Sequence, residues 1–508
     1  MERSPLTSLF LLSMLLALVT RVWQFGNPVI QVDEQLYLLI GDRMLHGAVP
    51  FVDIWDRKPL GIFLLYAAIR MLGGVGIIQY QIVATIFAGL TAFLIGVMAL
   101  RMASWRGAVI AATAYLIWLI VFDGSGGQTP VFYNLPVAGA GLLVLEGTRA
   151  GASRGKFLAF AALAMFAMGV ALQIKYSAVF EGIFFGVFLL WRARERFGLF
   201  PALAWGVVWI AVALLPTAAT FAWYVAAGYA DAFIYTNFIS IFQRGAWPAG
   251  TLIGRVLTFV KLASPLAICA IIEWRSRREL AAIDAEEAHA RRFAFGWLMS
   301  AVLGLLLFGT YFIHYFLPVL VPLSLYCARI LGRPDSHIAI RSAHFEQRVS
   351  IAVVILLVGI ALAAGTSLKR LKHRGKAEPI TQFAHVITRN LDGCLLVFDG
   401  EPILYQLTGA CIPTKLAFPN HLNDDIEKGS LGLDPTEETR RIFRDVPPDM
   451  VVTTDRPDPG YNVATRAIAE KVLARDYHLV GEQKIGSRVR LAYKRNATAG
   501  AVAAGSAS

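Results

Sequence analysis

Residues 6–23 read LTSLFLLSMLLALVTRVW, a run whose only charge is Arg21. At 1.5 Å per residue a helix of that length covers about 27 Å, close to the thickness of a bilayer's hydrocarbon core. One basic residue, Arg3, precedes the run and no small-residue cleavage site follows it. It is therefore expected to be an uncleaved first span, not a removed leader. Further apolar runs follow at 77–99, 108–121, 131–145, 157–173, 176–191, 203–225, 252–272, 293–310, 315–330 and 350–366. The sequence thus predicts about eleven spans.

The charges between these runs set the orientation. One set of loops carries Arg101 and Arg106; Arg149, Arg154 and Lys156; Arg192, Arg194 and Arg196; Arg275, Arg277 and Arg278; Arg329 and Arg333. In the alternate set, 122–130 and 309–313 have no Lys or Arg, and the other two short loops hold only Lys175 and Arg244. By the positive-inside rule the basic set is cytoplasmic, and so is the N-terminus. Parity then places the long loop 24–75 and the C-terminal tail outside. The cluster Lys369, Arg370, Lys372, His373, Arg374 and Lys376 runs against this assignment. It weighs less than five consistent loops, and an acidic glycolipid or membrane surface is a fitting partner for it.

Composition agrees with a membrane protein. The 508 residues are 56% hydrophobic and 16% charged, with mean hydropathy +0.58, a balance that water alone would not keep in solution. The net charge of +12 lies in short topology clusters and does not form a nucleic-acid-binding face. Four cysteines exclude a disulfide scaffold. Cys269 and Cys327 lie in apolar runs, whereas Cys394 and Cys411 stand in the polar tail, where one bridge is possible.

Chemistry concentrates in the first outside loop. It reads QVDEQLY at 31–37 and GAVPFVDIWDRKPLG at 47–61. Acids, aromatics and paired cations sit close to a membrane surface, without the Ser and Gly of a flexible linker. The loop is expected to be folded, with short amphipathic helices at 36–45 and 60–72 lying on the bilayer. From about Glu378 the pattern is that of a small α/β module. Strands are predicted at 394–398, 450–454 and 488–493, helices at 436–443 and 465–475. The domains expected are 1–370, spanning; 378–496, outside; and 497–508, Ala/Gly/Ser-rich and disordered. No Walker loop, no GxGxxG after a strand and no metal-spaced Cys/His set is present, so no cofactor or metal is expected.

The Asp33-Glu34 pair just past the first span, the Gly47-x-x-Pro50-x-x-Asp53 stretch and Lys58-Pro59 before a helix resemble one superfamily. It is that of the protein O-mannosyltransferases and lipid A aminoarabinose transferases, glycosyltransferases of the GT-C fold. Lys175-Tyr176 in a short outside turn, Tyr311-Phe-Ile-His314-Tyr315-Phe-Leu-Pro318 at a span entrance, and Pro402-Ile-Leu-Tyr405 and Phe418-Pro-Asn-His421 in the tail resemble it too. The resemblance covers nearly the whole chain on short motifs. Two departures stand out. Tyr133-Asn134-Leu135-Pro136 lacks the acid that ends the family's second loop, leaving Asp123 as the nearest substitute, and Leu60 stands where many relatives have a second Pro.

The resemblance implies an inverting glycosyltransferase of the bacterial inner membrane with an outward-facing site and no nucleotide. Its donor is a polyprenyl-phosphate-linked sugar, and an envelope glycan or lipid is the acceptor. Asp33 is the expected base, with Glu34 and Asp123 as further catalytic acids. Lys58, Arg57 and Lys175 suit the leaving phosphate, with His314 and Tyr315 as hydrogen-bond donors. Plainer readings exist for each: Asp33 as a helix N-cap, Lys58 and Arg57 as headgroup anchors, Lys175 as a turn residue, His314 in an aromatic belt, Asp123 as a span cap. Glu181 and Lys261 lie inside apolar runs, where charge is costly, without an assigned role. A transporter is the rival class, but carriers place ionisable residues at mid-membrane and show repeats, and this chain gathers its acids in one outside loop.

Overall fold

The computed structural model describes residues 4–276, 284–334, 337–342 and 345–497. Arg277, Arg278 and the Ala/Gly/Ser-rich stretch from 498 onward lie outside the described residues. The helices in chain order are α1 (Pro5–Arg21), α2 (Val32–Leu45), α3 (Leu60–Arg70), α4 (Ile77–Ala99), α5 (Trp105–Val121), α6 (Thr129–Gly147) and α7 (Arg154–Ile174). Then come α8 (Val179–Phe197), α9 (Leu199–Ala226), α10 (Ala230–Ile234), α11 (Ala249–Arg275), α12 (Ala285–Phe308), α13 (Leu320–Gly332) and α14 (Ile351–Arg374). The tail holds α15 (Ala377–Asn390), α16 (Ile403–Thr408), α17 (Pro419–Asn423), α18 (Pro435–Asp445) and α19 (Val463–Asp476). The strands are β1 (His337–Ser342), β2 (Phe345–Ser350), β3 (Leu395–Val397), β4 (Met450–Thr454), β5 (Tyr477–Ile485) and β6 (Arg488–Arg495).

Eight helices among the described residues are long and apolar enough to cross a membrane: Pro5–Gln24, Ile77–Ala99, Arg154–Ile174, Tyr176–Phe197, Leu199–Ala226, Ala249–Arg275, Ala285–Phe308 and Ile351–Asn390. Large apolar side chains such as Val207, Ile210 and Leu214 on α9 are exposed, and lipid is the solvent that suits them. The chain is a multi-pass membrane protein. The three other expected spans fall on α5, α6 and α13. At 315–330 the structure differs: residues 313–316 form a 3₁₀ turn and the helix begins at Leu320. Pro322, which has no amide hydrogen to donate, sits in the first turn of that helix, where none is needed.

The chain divides into two compact units. The first comprises Met1–Phe25, Gln81–Thr220 and Pro248–Leu368. Small residues let its helices approach closely, as is common between membrane helices. A Cβ on Gly332 of α13 would lie 2.6 Å from Gly107 Cα of α5, and one on Gly359 would meet the Trp118 ring at 2.5 Å. Polar groups in the packed interior are bonded across helices. Asn134 donates to Tyr115 Oη (3.3 Å) and to the Leu317 carbonyl (3.1 Å), and Trp118 Nε1 donates to the Leu262 carbonyl (3.0 Å).

The second unit comprises Gly26–Tyr80, Phe221–Trp247 and Lys369–Ser508, so the loop after the first span groups with the tail. Its sheet has the order β3-β4-β6-β5, with β3 and β4 parallel and the other pairs antiparallel. The expected strands and helices of the tail are present, and α15, α16, α17 and β5 are additions. The core includes Leu396, Phe398, Leu422, Val451 and, from the first loop, Trp55. Trp55 N donates to the Lys415 carbonyl at 2.9 Å and its Nε1 to Thr236 Oγ1 at 3.2 Å. The tail cysteines Cys394 and Cys411 form a disulfide.

The helix expected at 36–45 does not lie on the bilayer. The predicted helix at 36–45 is buried continuously from Glu34 to Gly41, so it is an interior helix and has no bilayer-facing stripe. Gly41 lets α3 approach, since a Cβ there would stand 2.6 Å from Ala67 N. On another side Gln35 donates to Glu401 Oε2 (3.1 Å) and accepts from Ile403 N (3.1 Å).

Candidate active site

In the second unit, α2 opens the site. Gln31 occupies the N-cap position and Asp33 and Glu34 lie in the first turn. The reading of Asp33 as a cap is therefore corrected. Asp33 sits one residue into the helix, where amide dipoles favour a carboxylate. Asp33 is half-buried and Glu34 fully buried. The loop that reverses at Phe51 brings a third acid to them. Phe51 takes φ +72°, rare for a bulky residue, and is held there by Tyr224 (5.4 Å between ring centroids) and Phe63 (6.2 Å).

That third acid is Asp56, 5% exposed. Burial raises its carboxyl above the usual range, Lys58 and Arg57 oppose this, and the charge of Asp33 raises it again. Lys58 Nζ lies 3.8 Å from Asp56 Oδ2 and 5.6 Å from the centroid of the Tyr37 ring. Two acids and a lysine thus share one electrostatic neighbourhood: a carboxylate able to take a proton and an ammonium able to meet an anion. Sequence reasoning omitted Asp56 from the site although it adjoins Arg57, and its burial was the missing information.

Arg57 points to another partner. It pairs with Glu427 through both terminal nitrogens and donates to Ser430 Oγ at 3.0 Å. Arg244 meets Glu427 Oε1 at 2.7 Å. Burial pushes the Glu427 carboxyl up, but the two guanidiniums more than offset it and hold it at about 2. This node fastens the first loop to the tail portion of the same unit.

In the first unit, α7 ends at Lys175, whose backbone is extended, and the chain turns through a short 3₁₀ segment, Tyr176–Ala178, into α8. Lys175 is 8% exposed, with Nζ 4.0 Å from the centroid of the Tyr315 ring, a close cation–π contact. Tyr133 Oη and Ser177 Oγ are 3.3 Å apart. These four residues and Glu181 line a narrow cavity of about 20 Å³. His314 stacks on Phe312 (6.0 Å) and sits edge-on to Tyr315 (5.0 Å). Arg255 lies over Phe312 at 4.4 Å and donates to the Thr310 carbonyl at 2.7 Å. Sequence reasoning missed Arg255, a cation in the first turns of an apolar run. It also missed Arg21, which is buried and donates to the carbonyls of Gly124 and Gly126 and to Thr85 Oγ1.

Asp123 stands just past Phe122, the C-cap of α5, and adopts φ +64°, a left-handed conformation that Asp tolerates better than most residues. Arg21 holds the loop just after it. Lys261 is exposed on α11, away from the cavity, whereas Glu181 is buried in it. Asp33 and Lys58 thus come together with Asp56, Lys175 comes together with Tyr315, and Arg57 is committed to Glu427.

No family model matches the chain, and no curated protein matches it in sequence. Solved structures do. ArnT from Cupriavidus metallidurans bound to undecaprenyl phosphate superposes with TM-score 0.65 at 15% identity, over 96% of this chain and 97% of that one. Its apo state gives 0.67 at 16% identity, over 96% and 98%. The oligosaccharyltransferase AglB from Archaeoglobus fulgidus, in complex with an inhibitory peptide and a dolichol-phosphate, gives 0.52 at 11% identity, over 88% and 69%. These neighbours are GT-C glycosyltransferases, and the chain has their fold: a helical polytopic membrane protein of the GT-C type with an α/β module at its C-terminal end.

Proposed function

We propose that the protein is an inverting glycosyltransferase that moves a sugar from a polyprenyl-phosphate donor to an envelope glycan or lipid acceptor on the periplasmic face of a bacterial inner membrane. The observation that carries the reading is the gathering of Asp33, Asp56 and Lys58 at the start of α2 and the loop before α3. Support comes from the fold neighbours, one bound to undecaprenyl phosphate and one to a dolichol-phosphate. The Cys394–Cys411 disulfide favours an oxidising compartment for the tail.

In the proposed step Asp33 takes the proton of the acceptor hydroxyl as its oxygen attacks the anomeric carbon. The bond from that carbon to the phosphate oxygen breaks, and its electron pair leaves with polyprenyl phosphate. The departing group gains negative charge, which Lys58 stabilises more strongly as the bond breaks. Attack opposite the leaving group inverts the anomeric centre. Asp56 orients Lys58 through their 3.8 Å ion pair. Lys175, with Tyr315 and His314, is proposed as a phosphate-binding group from its own surroundings, and Glu34 and Asp123 as auxiliary acids. Arg57 acts in this scheme by holding the loop through Glu427.

The test is purified protein in detergent with a polyprenyl-phosphate sugar and extracted envelope glycolipid or glycan, following release of polyprenyl phosphate. Release coupled to acceptor glycosylation is the expected result. Turnover with a nucleotide sugar and no lipid-linked donor overturns the proposal.

A further inference from the structure

Glu181 is a buried carboxyl within an apolar helix. It lies in the first turn of α8, inside a helix apolar enough to cross a membrane, and is only 3% exposed. Its Oε1 has no hydrogen-bond partner among the described residues. A carboxylate in such surroundings is costly unless something compensates it. The amide dipoles at the start of α8 supply part of that compensation.

The rest is available in the cavity that Glu181 lines with Tyr133, Lys175, Ser177 and Tyr315. Its volume of about 20 Å³ fits a single water, which needs roughly 10–15 Å³ and two to four polar partners. Candidate partners are at hand in Glu181 Oε1, Tyr133 Oη, Ser177 Oγ and Lys175 Nζ. Tyr133 is within electrostatic reach of both Glu181 and Tyr315. Tyr133 and Ser177 are bound to each other only loosely, at 3.3 Å, which leaves both hydroxyls able to bond a guest. The walls otherwise are apolar, with Phe180, Ala301 and Phe308 among them, and the charged residues that line the cavity are Glu181 and Lys175.

We propose that Glu181 is a positioning residue for Lys175, and that one water in this cavity links the Glu181 carboxylate to the Lys175 ammonium. The ammonium is then held between that water and the face of Tyr315, charged and aimed, although it is nearly buried. The functional consequence rests on the reading of Lys175 as a donor-phosphate group. Glu181 touches no reacting atom. It sets the charge and direction of a residue that does.

A double-mutant cycle with Glu181→Gln, Lys175→Met and the pair tests this, read first by thermal unfolding in detergent. Each single change removes one end of the proposed water-bridged link, and the double change removes both. The pair is expected to lower Tm by less than the sum of the two singles. Additive losses overturn the inference. Gln keeps the volume of Glu, and Glu181→Asp, which keeps the charge, should lose less than Glu181→Gln; an equal loss also counts against it. This arm needs no donor, so it decides the inference even if a lipid-linked donor proves wrong. In turnover, Glu181→Gln should raise the donor KM about tenfold, equivalent to about 1.4 kcal/mol, with a smaller change in kcat. In a Lys175→Met background the same change should move KM less than about twofold. An undiminished effect there shows that Glu181 does not act through Lys175.

Discussion

Replacing Lys58 with Ala tests the chemistry most directly. Lys58 Nζ already stands 3.8 Å from one carboxylate oxygen, Asp56 Oδ2. If a donor phosphate oxygen is met at a similar separation, each full unit of negative charge on it interacts with the ammonium by about 4 kcal/mol at an effective dielectric of about 20. The donor phosphodiester carries about one negative charge, and the departing polyprenyl phosphate approaches two. With half of the new charge present in the transition state, Lys58 contributes about 2 kcal/mol more there than in the ground state, or about 30-fold in kcat. The loss in KM should be smaller than the Coulomb figure alone implies. Without Lys58 the buried Asp56 carboxyl, already raised by burial, gains a proton more readily and cancels part of the lost positive charge. The expected outcome is a kcat down about 30-fold and a donor KM up about tenfold, with Lys58→Arg recovering part of each. The assay is release of polyprenyl phosphate by purified protein across a donor titration. If both parameters stay within threefold of wild type, Lys58 does not meet the phosphate and the electrostatic argument fails.

Three further predictions follow from other parts of the molecule. Asp33→Asn should cut turnover by about 10²–10⁴-fold while leaving donor binding largely intact; a rate within threefold of wild type moves the base to Glu34, Asp56 or Asp123. For topology, single cysteines at Ala227 and Asn420, both exposed, should react with an impermeant thiol reagent in spheroplasts, and one at Ala150 should not. Labelling of Ala150 with protection of Asn420 inverts the orientation. Stability should fall on acidification, for two groups with the same sign. Burial keeps His421 neutral with its pKa pulled from 6.5 to about 3, so its contribution is complete above 6.5 and is lost as pH drops toward 3. Glu427, held at about 2 against 4.5, adds a second loss between those values. A detergent-solubilised Tm that is flat between about pH 7 and 5, or an unchanged slope in His421→Gln, contradicts this.

The sequence by itself determined that the chain lives in a membrane and roughly where its helices run, because 1.5 Å per residue ties span length to bilayer thickness and because unpaired charge is costly in hydrocarbon. It also determined which loop holds the acids and cations, and that the tail is an α/β module with a cysteine pair free to bridge. Burial and side-chain partnership, by contrast, are tertiary facts. Nothing local in residues 32–45 says that the stretch from Glu34 to Gly41 is buried on every face. That depends on Gly41 admitting α3 and on Gln35 bonding Glu401, which stands 366 positions away. Arg57 and Lys58 are neighbours of the same charge sign, equivalent as topology signals. Only the fold gives one to Glu427 and leaves the other beside Asp56 and Tyr37. Glu181 is anomalous in sequence because its charge falls in an apolar run, but the cavity it shares with Lys175 is lined by α6, α8, α12 and the Tyr315 turn. Periodicity and composition report what each segment can tolerate. Which charges face one another is set by the packing of segments far apart in the chain, and that packing brings the Asp33 and Asp56 carboxyls and the Lys58 ammonium together.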